Sequence, residues 1–214
     1  MTRNGTRFSA TDLACLRGGR LVFRDLSLEL AGGGAIVLTG PNGSGKTSLL
    51  RVLSGLIEPV AGNMTWNGQT ANAADHRDRV ALIGHADAVK PALSVREDLA
   101  FWAAVNLSET PVDAAIEATG LQIQADLPGQ YLSAGQRRRL ALARLMLAEA
   151  DLWLMDEPSV GLDAGSVDRL RAMIAAHRAA GGMVIAATHI DLGLGDAGAL
   201  DMDAYAVAPM ETVG

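Results

Sequence analysis

Apolar residues follow two patterns along this chain, and each predicts a different element. Between residues 21 and 30 they alternate with polar ones (Leu21, Phe23, then Leu26, Leu28, Leu30), which marks strands with one buried face. Ala35-Ile36-Val37-Leu38-Thr39 is instead an unbroken apolar run, the pattern of a strand buried on both faces of a parallel sheet. Gly32-Gly33-Gly34 predicts the turn between them. A helix is expected to start inside the glycine-rich loop after Thr39 and to run to about Leu56, with Gly55 near its end. Residues 62–69 read as a strand and turn carrying Trp66, and Val80-Ala81-Leu82-Ile83 reads as a further apolar strand. Residues 1–11 are polar and are expected to be loose.

From about residue 87 to residue 150 the period becomes helical, with helices over 94–105, 112–118 and 133–148. Ser94 with Glu97 and Ser133 with Gln136 have the form of capping boxes, in which each end of a four-residue stretch bonds the other's backbone. Strands return over 151–155 and 183–187, with a helix over 165–180 between them. Strands alternating with helices imply an α/β fold with a parallel sheet. The expected organisation is one domain over residues 1–214, with the helical stretch at 87–150 inserted in it.

Composition narrows the function. The 49% hydrophobic content supports a sizeable core, and a net charge of −6 argues against a nucleic-acid partner. Arg137-Arg138-Arg139, the densest basic cluster, is expected to be the solvated face of a helix. Cys15 is the sole cysteine, which excludes an internal disulfide and fits a reducing compartment. No apolar run is long enough to span a membrane, and residues 1–7 do not read as a secretion signal.

Candidate chemistry concentrates in Gly40-Pro41-Asn42-Gly43-Ser44-Gly45-Lys46-Thr47, which fits the phosphate-loop pattern G-x-x-x-x-G-K-[ST] without mismatch and continues into Ser48. Glycines allow backbone N–H groups to converge on phosphate oxygens, and the following helix start favours an anion. Lys46, one of only two lysines in the chain, would reach the terminal phosphates, and the Thr47 hydroxyl would hold Mg²⁺. Leu152-Trp153-Leu154-Met155 is an apolar strand ending in Asp156 and Glu157, placed to hold Mg²⁺ and to polarise an attacking water. Leu132-Ser133-Ala134-Gly135-Gln136 opens a capped helix whose N-terminus suits an anion.

The order of these elements, followed by His189 after an apolar strand, resembles the ATP-binding cassette family. Leu132-Ser133-Ala134-Gly135-Gln136 resembles that family's LSGGQ signature with Ala134 in place of a glycine. Residues 159–163, ending in Asp163, resemble its D-loop, and His189 its switch histidine. The resemblance covers about residues 12–195. It implies a phosphate-loop NTPase core with an antiparallel β region and a helical signature subdomain, ATP and Mg²⁺ as cofactors, and a head-to-tail dimer. In such a dimer Ser133 and Gly135 serve the nucleotide on the partner's Lys46. Two positions depart from the family pattern: His85 stands at the place of the Q-loop glutamine, and Arg17 at that of the aromatic residue stacked on adenine. These departures, with Lys90 and the basic run after Gln136, resemble the ATP-binding subunit of bacterial cytochrome c maturation transporters. That resemblance implies an integral membrane permease as partner, haem-handling proteins indirectly, and a peripheral position on the cytoplasmic face of the inner membrane. Lys90, Leu93 and the helix through Phe101 and Trp102 are expected near the permease, with core packing of the two aromatics as the equal alternative. The ATPase of another exporter (drug, lipid or polysaccharide) stays open, as does, less readily, an ATPase outside transport.

Overall fold

The computed structural model describes residues 5–70 and 72–207. Strands β1 (Arg7–Arg17), β2 (Arg20–Ala31), β4 (Ala61–Trp66) and β5 (Gln69–Thr70) form an antiparallel sheet in the order β2-β1-β4-β5. Strands β3 (Ala35–Thr39), β6 (Val80–Ile83), β7 (Leu152–Asp156), β8 (Met183–Ala187) and β9 (Gly198–Asp201) form a parallel sheet in the order β6-β7-β8-β3-β9. Among the described residues six α-helices connect and cover them: α1 (Lys46–Leu53), α2 (Ala73–Asp78), α3 (Val95–Val105), α4 (Val112–Thr119), α5 (Ala134–Ala148) and α6 (Ala164–Ala179). The α/β class and the parallel core agree with the sequence reading.

The two-residue period of the parallel strands divides the core. Leu152 and Leu154 of β7 and Met183 and Ile185 of β8 face one layer, where they meet α1 and the antiparallel sheet through Leu50, Phe8 and Leu26. Trp153, Met155, Val184 and Ala186 face the opposite layer with Leu170 and Ile174 of α6. A third apolar cluster joins α3, α4 and α5 through Val95, Leu99, Ile116, Leu140 and Leu147. Both expected capping boxes form, Ser94 with Glu97 on α3 and Ser133 with Gln136 on α5.

Several expectations need correction. Residues 7–11 are not loose: they belong to β1, which pairs with both β2 and β4 and buries Phe8 and Ala10. Register shifts at Asp12, whose φ is 51°, break the alternation that would have revealed the strand. Residues 1–4 lie outside the described residues. Helix α1 stops at Leu53 rather than near Leu56, with Gly55 at φ 73° turning the chain out of it. Strand β9 carries no apolar run and exists because β3 supplies a pairing edge.

Two packing details tie the sheets to the helices. Arg144 of α5 meets the fully buried Asp98 of α3 at 2.7 Å, and its guanidinium also donates to the carbonyl of Asp87. His76 of α2 lies between Trp66 and α1: the indole Nε1–H donates to Nδ1 at 3.1 Å, and Nε2 is 2.8 Å from the Leu53 carbonyl. With Nδ1 accepting, Nε2 is the protonated nitrogen and donates to Leu53. A proton added at Nδ1 would face the Trp66 N–H.

Burial accordingly holds the His76 pKa below its ordinary value of 6.5, against a smaller opposing effect of the Leu53 hydrogen bond. A depressed folded-state pKa means that the unfolded chain takes up the proton first as pH falls. This part of the stability is therefore present above about pH 6.5 and is lost below it. Urea unfolding at pH 7.5 and 5.5 should show a smaller pH-dependent loss in His76→Gln than in the unaltered protein.

Candidate functional site

A parallel sheet points the carboxyl ends of its strands to one edge, and ligands bind in the crevice there. Four of the five strands deliver candidate residues to that edge. β3 ends at Thr39 and runs into the 40–45 loop, β6 leads to Gly84 and His85, β7 ends at Asp156 with Glu157 next, and β8 leads to Thr188 and His189. A hollow of about 400 Å³ opens at this edge, lined by Asn42, Lys46, Thr47, His85, Asp156 and Glu157 with others, and His189 is not among its lining residues. A larger groove of about 600 Å³ between Met146, Trp153 and Met173 contains none of these residues.

The loop has the conformation its glycines permit. Gly40, Gly43 and Gly45 have φ of 119°, 86° and 100°, in the region that side chains disfavour. At Gly45 a Cβ would also lie 2.8 Å from Val22 Cγ1, so the β2 wall presses directly on the loop. The Lys46 ammonium folds over the loop and donates to the Gly40 and Pro41 carbonyls at 2.6 and 2.8 Å. Buried Ser44 Oγ has no hydrogen-bond partner. An orphaned buried hydroxyl in such a loop is a polar group left for a ligand to satisfy.

Thr47 Oγ1 donates to Asp156 Oδ2 at 2.8 Å, so the two expected cation ligands are already in contact. Among the described residues no group of three or more His, Cys, Asp or Glu side chains could hold a metal alone. One hydroxyl and one carboxylate suit Mg²⁺ that arrives with phosphate oxygens and keeps several waters. Glu157 follows with its side chain only partly exposed, and His189 Nε2 lies 3.3 Å from its Oε1. The backbone of Glu157 is left-handed, at φ 46°, and its N–H donates to the Ala187 carbonyl at 2.8 Å.

The remaining candidates are placed differently. Arg17 is exposed at the end of β1, opposite Arg20 in the register, and is not among the residues lining the hollow, whereas Val22 is. Sequence gave no signal for Val22, which reads only as a strand residue. None of residues 132–136 lines the hollow either. Leu132 is buried, while Ser133 and Ala134 are exposed at the start of α5. Asp163 caps α6, accepting from the Ser166 N–H at 2.8 Å, and its bonds to Ser166 hold its carboxyl below the usual range. A Cβ on Gly135 would lie 2.8 Å from the Gly161 carbonyl, so the start of α5 and the 159–163 segment touch backbone to backbone. In the helical region, Phe101 is 42% exposed, and the Lys90 ammonium sits 3.5 Å from its ring centroid.

The expectation of a solvated Arg137–Arg139 face fails. Arg138 is only 4% exposed, and its side chain reaches the carbonyls that flank Glu157. Arg139 donates to the Thr119 and Gly120 carbonyls at the end of α4. A run of three arginines carries no mark of which one turns inward.

Residues 23–160 match the family described as ABC transporter. The chain is 52% identical over 209 residues to the cytochrome c biogenesis ATP-binding export protein CcmA of Paramagnetospirillum magneticum, covering 94% of this chain and 96% of that one. It is 51% identical over 211 residues to the protein of the same name from Rhodospirillum rubrum, covering 97% and 90%. Among solved structures, an ABC transporter ATP-binding protein from Pyrococcus furiosus aligns with a TM-score of 0.81 at 22% identity, over 94% of this chain and 100% of that one. At that identity the likeness establishes the fold. Relatives that align end to end, and a family match spanning the phosphate loop and the β7 carboxylates, lead to one conclusion: the chain belongs to the ABC transporter family, as an ATP-hydrolysing subunit.

Proposed function

We propose that this chain is the ATPase subunit of a membrane exporter serving cytochrome c biogenesis, and that it works as a head-to-tail pair on a membrane-spanning permease. The names of its relatives support the process. The observation that carries the mechanism is the contact of Thr47 with Asp156 beside Lys46, with Glu157 and His189 adjoining.

In this reading the 40–45 loop, Lys46 and Ser48 cradle the phosphates of ATP, and Thr47 and Asp156 would hold Mg²⁺. When bound, Mg²⁺ neutralises charge on the phosphate oxygens. The Glu157 carboxylate accepts a proton from the attacking water while His189, at 3.3 Å, orients that carboxylate and faces the γ-phosphate. Water attack on the γ-phosphorus breaks the bond to the bridging oxygen and yields ADP and inorganic phosphate. His85 lines the same hollow and suits a role in sensing the nucleotide from the β6 side. Arg17 is assigned to the adenine, stacking its guanidinium plane on the base.

The signature residues complete the site of a second copy. Their absence from the hollow of their own chain supports this. The first-turn N–H groups of α5, with Ser133 and Gly135, then face the partner's γ-phosphate. No helix among the described residues is long and apolar enough to cross a membrane. Exposed Phe101 with Lys90 above it supports the helical region as the docking face, and in this reading the subunit sits on the cytoplasmic side of the inner membrane.

Two experiments test this reading. Glu157→Gln should bind ATP, accumulate as a nucleotide-bound dimer on gel filtration, and lose about 10²–10⁴-fold in hydrolysis; unchanged turnover would remove Glu157 from the chemistry. The second experiment mixes two inactive chains, Lys46→Met and Gly135→Val. A mixed dimer pairs the intact loop of one with the intact signature of the other, so an equal mixture should recover about a quarter of the original ATPase rate if the two sites act independently. No recovery would exclude sites completed in trans.

A further inference from the structure

Arg138 is the fifth residue of α5, which opens with the signature. Its guanidinium has five N–H donors in a fixed fork, and the structure gives each an acceptor. Nε donates to the Pro158 carbonyl at 3.0 Å. Nη2 donates to the carbonyls of Asp156 at 3.1 Å and Glu157 at 2.7 Å. Nη1 donates to the Gly84 carbonyl at 2.8 Å and to Asp87 Oδ1 at 3.0 Å. Asp87 thus supplies the counter-charge for a guanidinium that is almost fully buried.

Three of these acceptors are successive carbonyls, from 156 to 158. They can converge on one guanidinium because the middle residue, Glu157, is left-handed at φ 46°. A non-glycine residue in that region is strained and persists only where its surroundings over-determine it. The Glu157 N–H is held by the Ala187 carbonyl, and Arg138 holds the carbonyls on either side of its Cα. The other two acceptors lie on the segment Gly84–Asp87 that carries His85. One side chain therefore joins the helix of the signature, the segment after β6 and the backbone that aims the Glu157 carboxylate.

We propose that Arg138 is a positioning residue for ATP hydrolysis, fixing the left-handed backbone at Glu157 to the start of the signature helix and to Gly84–Asp87. The inference rests on the reading of Glu157 as the group that activates water. It adds a route by which the seating of α5 against the partner's nucleotide bears on the carboxylate of its own chain. Lysine cannot replace Arg138, since three donors on one nitrogen cannot serve five acceptors spread over two segments.

The test is a double-mutant cycle on the full chain. ATP hydrolysis, nucleotide binding and thermal unfolding are measured for Arg138→Met, Arg138→Lys, Glu157→Gln and the double variant Arg138→Met/Glu157→Gln, with single turnovers for the slow ones. Arg138→Met is expected to lower kcat by about 10²-fold, the scale of a 1 Å misplacement, with KM for ATP changed less than about 3-fold. Arg138→Lys should recover only part of that loss. In the Glu157→Gln background, loss of Arg138 should cost almost nothing further. An equal fractional loss in both backgrounds would make Arg138 merely structural and overturn the proposal, as would a rise in KM with kcat kept. If Arg138→Met does not fold, the same cycle is run with Arg138→Lys and read by the same criteria. If Glu157→Gln alone keeps its turnover, the reading of Glu157 fails, whatever Arg138 does.

Discussion

Parallel pairing of β6, β7, β8 and β3 is the constraint on which the site depends. Parallel strands end on the same side, so chemistry separated by more than a hundred residues arrives on one edge without any loop having to reach for it. Thr47 and Asp156 are 109 positions apart and 2.8 Å apart in space. The pairing demands strands that tolerate burial on both faces, and β7 and β8 are buried at every position. Their apolar character serves both core layers at once, and their first polar residues, Asp156 and Thr188, mark where the sheet ends and the crevice begins.

Helix α5 is the second organising element. Its apolar residues build the cluster with α3 and α4, and its arginines bind backbone elsewhere: Arg138 at the β7 end, Arg139 at the end of α4, Arg144 at Asp98 and at the carbonyl of Asp87. Arg138 and Arg144 both hold the segment after β6, from Gly84 to Asp87. Charged side chains on buried carbonyls are an expensive way to join helices to a sheet if packing alone were the aim, because each guanidinium must be desolvated. They do fix direction, since a planar fork accepts only one arrangement of its acceptors. The helical cluster is thereby held to the strand ends through polar contacts at the edge where the candidate site lies.

Much of this was legible in the sequence because it depends on local rules. The Gly40–Thr47 loop, the capping boxes at Ser94 and Ser133 and the apolar strands β3, β7 and β8 each follow from residues within one short window. What was not legible depends on partners distant in the chain. β1 is broken by a bulge at Asp12 and shows its strand character only through pairing with β2 and β4. β9 is a strand because β3 borders it. Arg138 is buried because three carbonyls and a carboxylate from other segments converge with a fourth carbonyl on its position, and nothing distinguishes it from Arg137 or Arg139 in the sequence itself.

The same distinction explains which departure from the signature pattern matters. Ala134 stands where LSGGQ has glycine, and within its own chain its side chain is exposed at the first position of α5. Gly135 has no such freedom, because the Gly161 carbonyl occupies the place its Cβ would take. That approach joins the start of α5 to the 159–163 segment, whose Asp163 caps α6. The glycine that remains is therefore the one the backbone requires, and the one replaced lies where the fold leaves room. With the alanine in place Ser133 still accepts from the Gln136 N–H, and the helix still opens with its first N–H groups uncommitted to its own carbonyls.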